Sequence, residues 1–193
     1  MSKRIALFSA AAFGALALTA AVVAPVTAQD KMKSEMSGEK TVMVGGAAMY
    51  PSKNIIQNAV NSKDHTTLVA AVKAAGLVET LEGKGPFTVF APTNTAFGKL
   101  PAGTVDTLVK PESKATLTKI LTYHVVPGKL EASSLTDGKK LKTVEGEELT
   151  VKHQDGKVWI VDAKGGTSMV TIANVNQSNG VIHVVDTVLM PAS

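Results

Sequence analysis

Serine, histidine and acidic side chains have the most scope for chemistry in this sequence, because it contains no cysteine to act as a nucleophile or metal ligand. A hydrolase would need a serine, a histidine and an acid in mutual contact. The candidates are Ser133, Ser134, His124, His183 and Asp186. No GxSxG turn is present to hold a serine nucleophile, and no HExxH motif or close histidine pair indicates a metal site. We therefore predict no enzyme activity, no catalytic residue, and no cofactor or metal site.

The histidines are better explained as structural residues. His124 continues an apolar pattern at positions i, i+3, i+4 and i+7, which places it on one helix face with Leu117, Ile120 and Leu121. An unpaired buried imidazole would cost about 1–3 kcal/mol, so we expect its ring to bond a backbone group or hydroxyl. His183 falls on one face of the last predicted strand and Asp186 on the other, so this carboxylate cannot reach the His183 ring.

The elements that must position these residues fall into two halves, with helical spacing first and strand patterns after residue 129. Ser52 and Asp64 are predicted to cap the first two helices. Phe87-Thr88-Val89-Phe90-Ala91 reads as a strand that ends at Pro92, and Thr93 or Asn94 can cap the short helix that follows. Helices followed by strands predict an α+β domain.

The second half carries two turn signals. Asp155-Gly156 separates two short apolar runs and predicts a β-hairpin. Asn179-Gly180 predicts a tight turn into the last strand, with glycine suited to a positive φ. That strand, Val181 to Leu189, is apolar on both faces, which favours a central position covered on both sides.

The first 28 residues have the three parts of a secretory signal peptide. Lys3 and Arg4 form a positive start, an apolar stretch follows to residue 24, and Val26-Thr27-Ala28 supplies small residues at a cleavage site. We predict cleavage after Ala28 and a secreted or periplasmic protein that has no contact with the membrane afterwards. The alternative is an uncleaved anchor, for which the stretch is only weakly hydrophobic.

Residues 29–50 are predicted to form a flexible lead-in, and residues 51–193 the folded domain. The lead-in is polar at first and lacks sustained periodicity. Its irregularly spaced methionines could bind a soft ion such as Cu(I), but a flexible segment is the interpretation we favour.

Charge argues against a nucleic-acid partner. Without Lys3 and Arg4, 18 basic side chains face 16 acidic ones, a net charge of +2. The remaining lysines are interleaved with acids, whereas phosphate binding needs a dense positive stripe.

Three stretches carry a family likeness. FTVFAPTNTAF (87–97), LTYHVVPGK (121–129) and NGVIHVVDTVLMP (179–191) resemble, in that order, the first signature box, the Tyr-His box and the second signature box of fasciclin domains. The resemblance covers roughly residues 52–191 and implies a wedge-shaped β-sandwich with a helical cluster along one side. It also implies that the box residues are structural, namely Phe87, Thr88, Phe90, Ala91, Pro92, Thr93, Asn94, Phe97, Tyr123, His124, Asn179, Gly180, His183 and Asp186.

The resemblance also implies a function. Fasciclin domains are most often adhesion or surface-interaction modules, so we expect a cell-surface or matrix component, protein or polysaccharide, as the partner. Some members resemble carriers, which makes a small apolar ligand such as a carotenoid or lipid the alternative. Members that bind integrins carry an Asp-Ile pair ahead of the last box, where this chain has Asn174 and Val175. These two residues are candidate interaction positions, but the carboxylate that would meet a receptor's metal is missing.

Overall fold

The computed structural model describes residues 40–192, in which short helices precede most of the strands. The strands are β1 (Val42–Val44), β2 (Ala47–Met49), β3 (Phe87–Pro92), β4 (Val125–Pro127), β5 (Lys140–Lys142), β6 (Glu148–Gln154), β7 (Lys157–Val161), β8 (Thr167–Gln177) and β9 (Gly180–Val185). The α-helices are α1 (Ile55–Ala59), α2 (Thr66–Ala75), α3 (Val78–Glu82), α4 (Asn94–Gly98), α5 (Thr104–Leu108) and α6 (Lys114–Tyr123). Single 3₁₀ turns occur at Lys63–His65, Pro111–Ser113 and Ala132–Ser134.

Seven strands form one sheet in the order β4-β3-β9-β8-β7-β6-β5. β9 pairs in parallel with β3 and antiparallel with β8. The Val144 N–H, just after β5, donates to the Val125 carbonyl in β4 at 2.8 Å, which brings the two ends of the sheet together. The sheet therefore curls into a sandwich that is close to a closed barrel, and the predicted α+β fold with a helical cluster is confirmed.

Two hydrophobic clusters share the central strands β3 and β9. Because neighbouring strand residues point to opposite faces, Val89 and Ile182 contact the helices, whereas Phe90 and Val185 lie inside the curled sheet. All six residues of β9 are buried. The prediction that this strand is central and covered on both faces is therefore confirmed.

Two predicted helix caps are wrong. The N-cap of α1 is Asn54, whose side chain accepts from the Gln57 N–H while the Gln57 side chain accepts from the Asn54 N–H. This capping box satisfies two amide donors at the start of the helix, so the cap of α1 lies two residues after the predicted cap Ser52. Asp64 lies inside a 3₁₀ turn and does not cap α2.

The predicted flexible lead-in is corrected over its second half. β1 and β2 pair as an antiparallel hairpin, and its Val44 and Met49 side chains are buried in the cluster beneath the helices. The folded domain thus includes residues from Val42 onward. The predicted signal peptide, its cleavage after Ala28 and residues 29–39 lie outside the described residues. Between residues 40 and 192, no helix is both long and apolar enough to span a bilayer.

Candidate functional site

The junction of α6 with the central strands holds the first candidate histidine. His124 is the C-cap residue of α6 and is only 2% exposed. Its Nδ1 lies 2.8 Å from the Ile120 carbonyl, and its Nε2 accepts from the Leu189 N–H at 3.0 Å. The ring is therefore a neutral imidazole with the proton on Nδ1. Burial lowers its pKa to about 4, so it stays neutral at physiological pH.

His183 has the complementary arrangement inside the curled sheet. Its Nε2 lies 2.7 Å from the Leu130 carbonyl, and its Nδ1 accepts from the Asn174 N–H at 3.4 Å. The ring stacks on Phe90 with centroids 5.7 Å apart. Burial lowers the pKa of this imidazole as well. Both nitrogens of both rings face backbone groups, so neither histidine has a free nitrogen to act as a base toward a substrate.

The first box connects β3 to its neighbours. The Thr88 hydroxyl donates to the Gly128 carbonyl at 2.6 Å and accepts from the Leu130 N–H at 2.9 Å. The Thr93 side chain accepts from the Ala96 N–H and so caps α4, as predicted. Of the other box residues, Phe87 is partly buried, and the rest are buried: Phe90, Ala91, Pro92 and Phe97.

Asn94 serves a helix other than its own. Its Oδ1 accepts from the Thr67 N–H at 3.0 Å and from the Thr66 hydroxyl at 3.2 Å. Its Nδ2 donates to the Lys63 carbonyl at 2.8 Å. This side chain therefore caps α2, the role predicted for Asp64, from 27 residues further along the chain.

The last box begins with a buried asparagine that joins three segments. Asn179 Oδ1 accepts from the Ile55 N–H at 3.1 Å, and its Nδ2 donates to the carbonyls of Leu81 and Gly83 at 2.7 and 2.9 Å. Gly180 does not have the positive φ that the sequence predicted. A side chain there would instead overlap the Phe87 carbonyl oxygen of the adjacent strand, so close approach of two backbones requires glycine.

Tyr123 and Asp186 complete the framework. The Tyr123 hydroxyl accepts from the Ala163 N–H at 2.8 Å, and burial raises the pKa of this phenol to about 12. Burial alone would raise the pKa of Asp186, but the hydrogen bond from the Met169 N–H, helped by Thr187 and Lys99, brings it below its usual value. Asp186 follows the end of β9 and bonds the Met169 N–H, the Thr187 hydroxyl and Lys99, so its carboxylate is not a partner of the His183 ring.

The two candidate interaction residues separate. Asn174 is exposed and has φ of 58°, in the irregular part of the β8–β9 pairing. Its Oδ1 accepts from the Ala132 N–H at 2.7 Å. Val175 is 1% exposed and belongs to the cluster beneath the helices. Val175 is therefore not available to a partner, and that part of the prediction is corrected.

An apolar cavity lies between the sheet and the first helices. Its volume is about 40 Å³, and its walls come from the β1–β2 hairpin, α1, α2 and the central strands. Almost all of its lining atoms are apolar; the lining includes Met49, Ile56, Leu68, Val72, Val89 and Ile182. The sequence did not predict this space, because the residues that line it are ordinary core residues spread over 139 positions from Val44 to Ile182.

His65 also lines this cavity and was not singled out from the sequence. It is 3% exposed, and its Nδ1 lies 2.9 Å from the Ser62 hydroxyl, whereas its Nε2 is buried without a hydrogen-bond partner. The feature of the sequence that could have identified His65 is its position directly before an amphipathic helix.

No hydrolytic or metal site assembles in the described part of the chain. Ser133 and Ser134 lie in a 3₁₀ turn, and the ring nitrogens of His124 and His183 are bonded elsewhere. No group of three or more His, Asp or Glu residues between 40 and 192 could hold a metal ion. The arrangement is suited to holding strands and helices together.

Comparison with known proteins agrees with these observations. The family description "Fasciclin domain" matches residues 63–191. Protein sll1483 of Synechocystis is 49% identical over 86% of this chain and 88% of its own length. The immunogenic protein MPB70 of Mycobacterium bovis is 35% identical over 99% and 98%. The cell surface glycolipoprotein MPB83 of the same species is 38% identical over 77% of this chain and 64% of its own length.

The fold is also found among solved structures. A FAS1 domain pair from the insect cell adhesion molecule Fasciclin I superposes with a TM-score of 0.65 at 18% identity, and the match covers 73% of this chain and 52% of that chain. At this identity the match establishes the fold alone. The family match and the mycobacterial relatives, independently of this superposition, point to an extracellular, non-catalytic module.

Proposed function

The chain belongs to the fasciclin domain family, and from this premise we propose that it acts outside the cytoplasm as a module that binds a cell-surface or matrix component, protein or polysaccharide. The observation that carries the proposal is the state of the histidines in the family boxes. His124 and His183 are buried, neutral and bonded to backbone on both ring nitrogens. These two histidines therefore stabilise the fold, and we assign recognition of the partner to the outer surface.

The surface offers several positions at which such a partner could bind. Between residues 40 and 192, three large apolar side chains are exposed: Met43 at 59%, Val60 at 48% and Val144 at 45%. Single exposed apolar residues of this kind are common on soluble proteins. Asn174 is exposed but holds the Ala132 N–H, so it contributes to the shape of its loop. A polysaccharide or protein would contact a surface of this kind, in which polar and apolar side chains are mixed.

Attachment assays test this function. Cells that lack the protein should attach less to surfaces and to each other, and the purified domain should bind cells or isolated matrix and restore attachment. Met43→Lys and Val144→Lys add a charge at exposed positions without disturbing the core, so a loss of binding in one of them would locate the surface. Unchanged attachment of the deletion strain, with no affinity of the purified domain for cells or matrix, would refute the proposal.

The apolar cavity favours a second function, the carriage of a small apolar ligand. Ligand sites are mostly apolar spaces with a few placed polar groups, and the space beside His65 has this character. A volume of about 40 Å³ is far below what a carotenoid chain needs, so a ligand of that size would require the walls to separate. Native purification followed by solvent extraction and mass spectrometry tests this function, and recovery of no co-purifying molecule together with no uptake of added ligand would exclude it.

A further inference from the structure

The imidazole of His65 presents an unsatisfied polar atom in an otherwise apolar space. His65 is only 3% exposed, and it lines the cavity between the helices and the sheet. Its Nε2 has no hydrogen-bond partner. The carbonyl of Ala91, which also lines the cavity, is near enough to raise the pKa of the ring but is not placed to accept a hydrogen bond from it. An unsatisfied polar group of this kind costs about 1–3 kcal/mol, so a partner is expected.

The Ser62 hydroxyl determines which ring nitrogen of His65 carries the proton. Ser62 is 1% exposed, and the only hydrogen bond of its hydroxyl in the described structure is to His65 Nδ1, at 2.9 Å. If Nδ1 carried the proton, the buried hydroxyl hydrogen would have no acceptor. The arrangement that satisfies both groups has Ser62 donating to Nδ1, which leaves the proton on Nε2. His65, which lines the cavity, therefore carries a buried N–H donor without an acceptor.

The ring is neutral in this environment. Burial lowers the pKa of His65, and this effect outweighs the opposing effects of the Ala91 carbonyl and of Asp64. No charged side chain lines the cavity. A charged ligand would lose its hydration with no opposite charge to compensate, so the site favours a neutral molecule.

We propose that this cavity binds a small neutral molecule with an apolar body and one acceptor oxygen, such as a ketone, ester or ether, and that this oxygen accepts a hydrogen bond from His65 Nε2. The proposal rests on the second of the two functions, ligand carriage, and names the polar group that orients the ligand. The remaining walls are aliphatic except for the ring of His124, whose two nitrogens already bond backbone groups, so they supply contact area without further hydrogen bonds to a ligand.

The size of the cavity and the nature of one wall set the ligand's dimensions. About 40 Å³ is less than the roughly 150 Å³ of an engineered protein cavity that binds benzene, so a ligand of five or six heavy atoms enters only when a wall moves. The β1–β2 hairpin forms one wall through Val44 and Met49, and it is a two-stranded sheet separate from the seven-stranded one. Isolated two-stranded hairpins are marginally stable, so this wall yields most easily to a larger ligand.

Titration with a matched pair of probes tests the proposal. The probes are 2-pentanone, which has an acceptor oxygen, and n-pentane, which has none. Each is added to the full chain labelled with ¹⁵N histidine, and the His65 ¹⁵Nε2 resonance is followed by NMR. We expect 2-pentanone to shift this resonance and n-pentane to leave it in place while perturbing nearby methyl groups. The comparison variant is the double substitution Ser62→Ala with His65→Phe, which removes the donor without leaving the hydroxyl unpaired.

The outcomes distinguish ligand carriage by the cavity from the specific role of His65. The double variant should bind 2-pentanone about fivefold more weakly than the parent chain, the value of one net hydrogen bond, and should bind n-pentane with undiminished affinity. If both probes enter the parent chain and the double variant binds each of them with the same affinity as the parent, ligand carriage stands and the role of His65 is refuted. If neither probe enters, or if His65 Nε2 holds a water or the Ala91 carbonyl that 2-pentanone does not displace, the proposal is overturned.

Discussion

His124 Nε2 accepts the backbone N–H of Leu189 at 3.0 Å, across 65 residues of chain. Because Nδ1 of the same ring faces the Ile120 carbonyl at 2.8 Å, the imidazole connects the last turn of α6 to the segment that leaves the central strand. The histidine of the Tyr-His box is thus a fixed structural connection. It joins two segments that no backbone pairing of the sheet brings together.

Replacement of this histidine by phenylalanine should destabilise the fold without changing its shape. His124→Phe keeps the ring volume but leaves the Leu189 N–H and one helix carbonyl without the imidazole, so we expect a loss of about 2–4 kcal/mol in the free energy of unfolding. Urea denaturation followed by circular dichroism measures this. The control is His153→Phe, since His153 is exposed and contacts only the Leu135 carbonyl through its ring; it should cost about 1 kcal/mol or less. Equal losses in both variants would contradict the structural role.

Stability should fall as the solution is acidified below pH 6.5. Burial depresses the pKa of His124 from 6.5 to about 4, so between these values the unfolded chain binds a proton that the folded chain does not. The contribution of the neutral His124 ring to the free energy of unfolding is therefore fully present above pH 6.5 and is lost as the pH falls toward 4. At pH 5 this one residue should account for about 2 kcal/mol. His65 and His183 have lowered pKa values of the same sign and add to the effect.

Urea titrations at pH 7.5 and pH 5 at constant ionic strength check this dependence. The difference in unfolding free energy between the two conditions should be smaller in His124→Phe than in the parent chain. A parent chain that is equally stable at both values, or an unchanged difference in the variant, would show that the ring titrates alike in the folded and unfolded chain.

Alanine at Gly180 should prevent the central strands from pairing. The added methyl group would overlap the Phe87 carbonyl oxygen in the parallel neighbour β3, and two backbones cannot move apart without breaking the ladder. We expect at least about 3 kcal/mol of destabilisation or failure to fold. Gly98→Ala is the matched control, because nothing lies within 4 Å of a Cβ at that end of α4. That substitution should be neutral or stabilise by up to about 1 kcal/mol, and a tolerated Gly180→Ala would refute the close approach.

The sequence predicted what depends on local periodicity. The helical spacing that ends at His124 placed its ring on a buried face, and the unbroken apolar run of β9 indicated a strand covered on both sides. The fasciclin resemblance, carried by three ordered boxes, implied the β-sandwich and the helical cluster. Each of these rests on neighbours in sequence or on a pattern that recurs in a family.

The remaining features depend on contacts between distant segments. Asn94 caps α2 from another helix, and Gly180 is required because β3 runs beside it, so neither role is encoded by adjacent residues. The strands β1 and β2 have only three residues each and no alternation of polar and apolar side chains, and the hairpin gains its order by packing Val44 and Met49 into a cluster formed mainly by later parts of the chain. His65 became notable only when folding left its Nε2 in an apolar space.

Asn179 offers the sharpest test of how the helices are attached to the sheet. Its side chain accepts from the Ile55 N–H at the start of α1 and donates to the carbonyls of Leu81 and Gly83 at the end of α3, and the residue is 7% exposed. Asn179→Ala removes all three hydrogen bonds and leaves their partners without this side chain, so we expect a loss of about 3 kcal/mol or more.

Asn179→Asp should also be destabilising, because a carboxylate of the same shape keeps the acceptor for Ile55 but faces two carbonyl oxygens that need a donor. Asn61→Ala is the control, since this exposed side chain makes one bond, to the Gln57 carbonyl, and its removal should cost under about 1 kcal/mol. Hydrogen exchange adds a readout specific to attachment: the amide of Ile55 should lose protection more than amides of β6 and β7 in Asn179→Ala. Uniform loss of protection across the domain would show that Asn179 stabilises the whole fold rather than the attachment of α1 and α3.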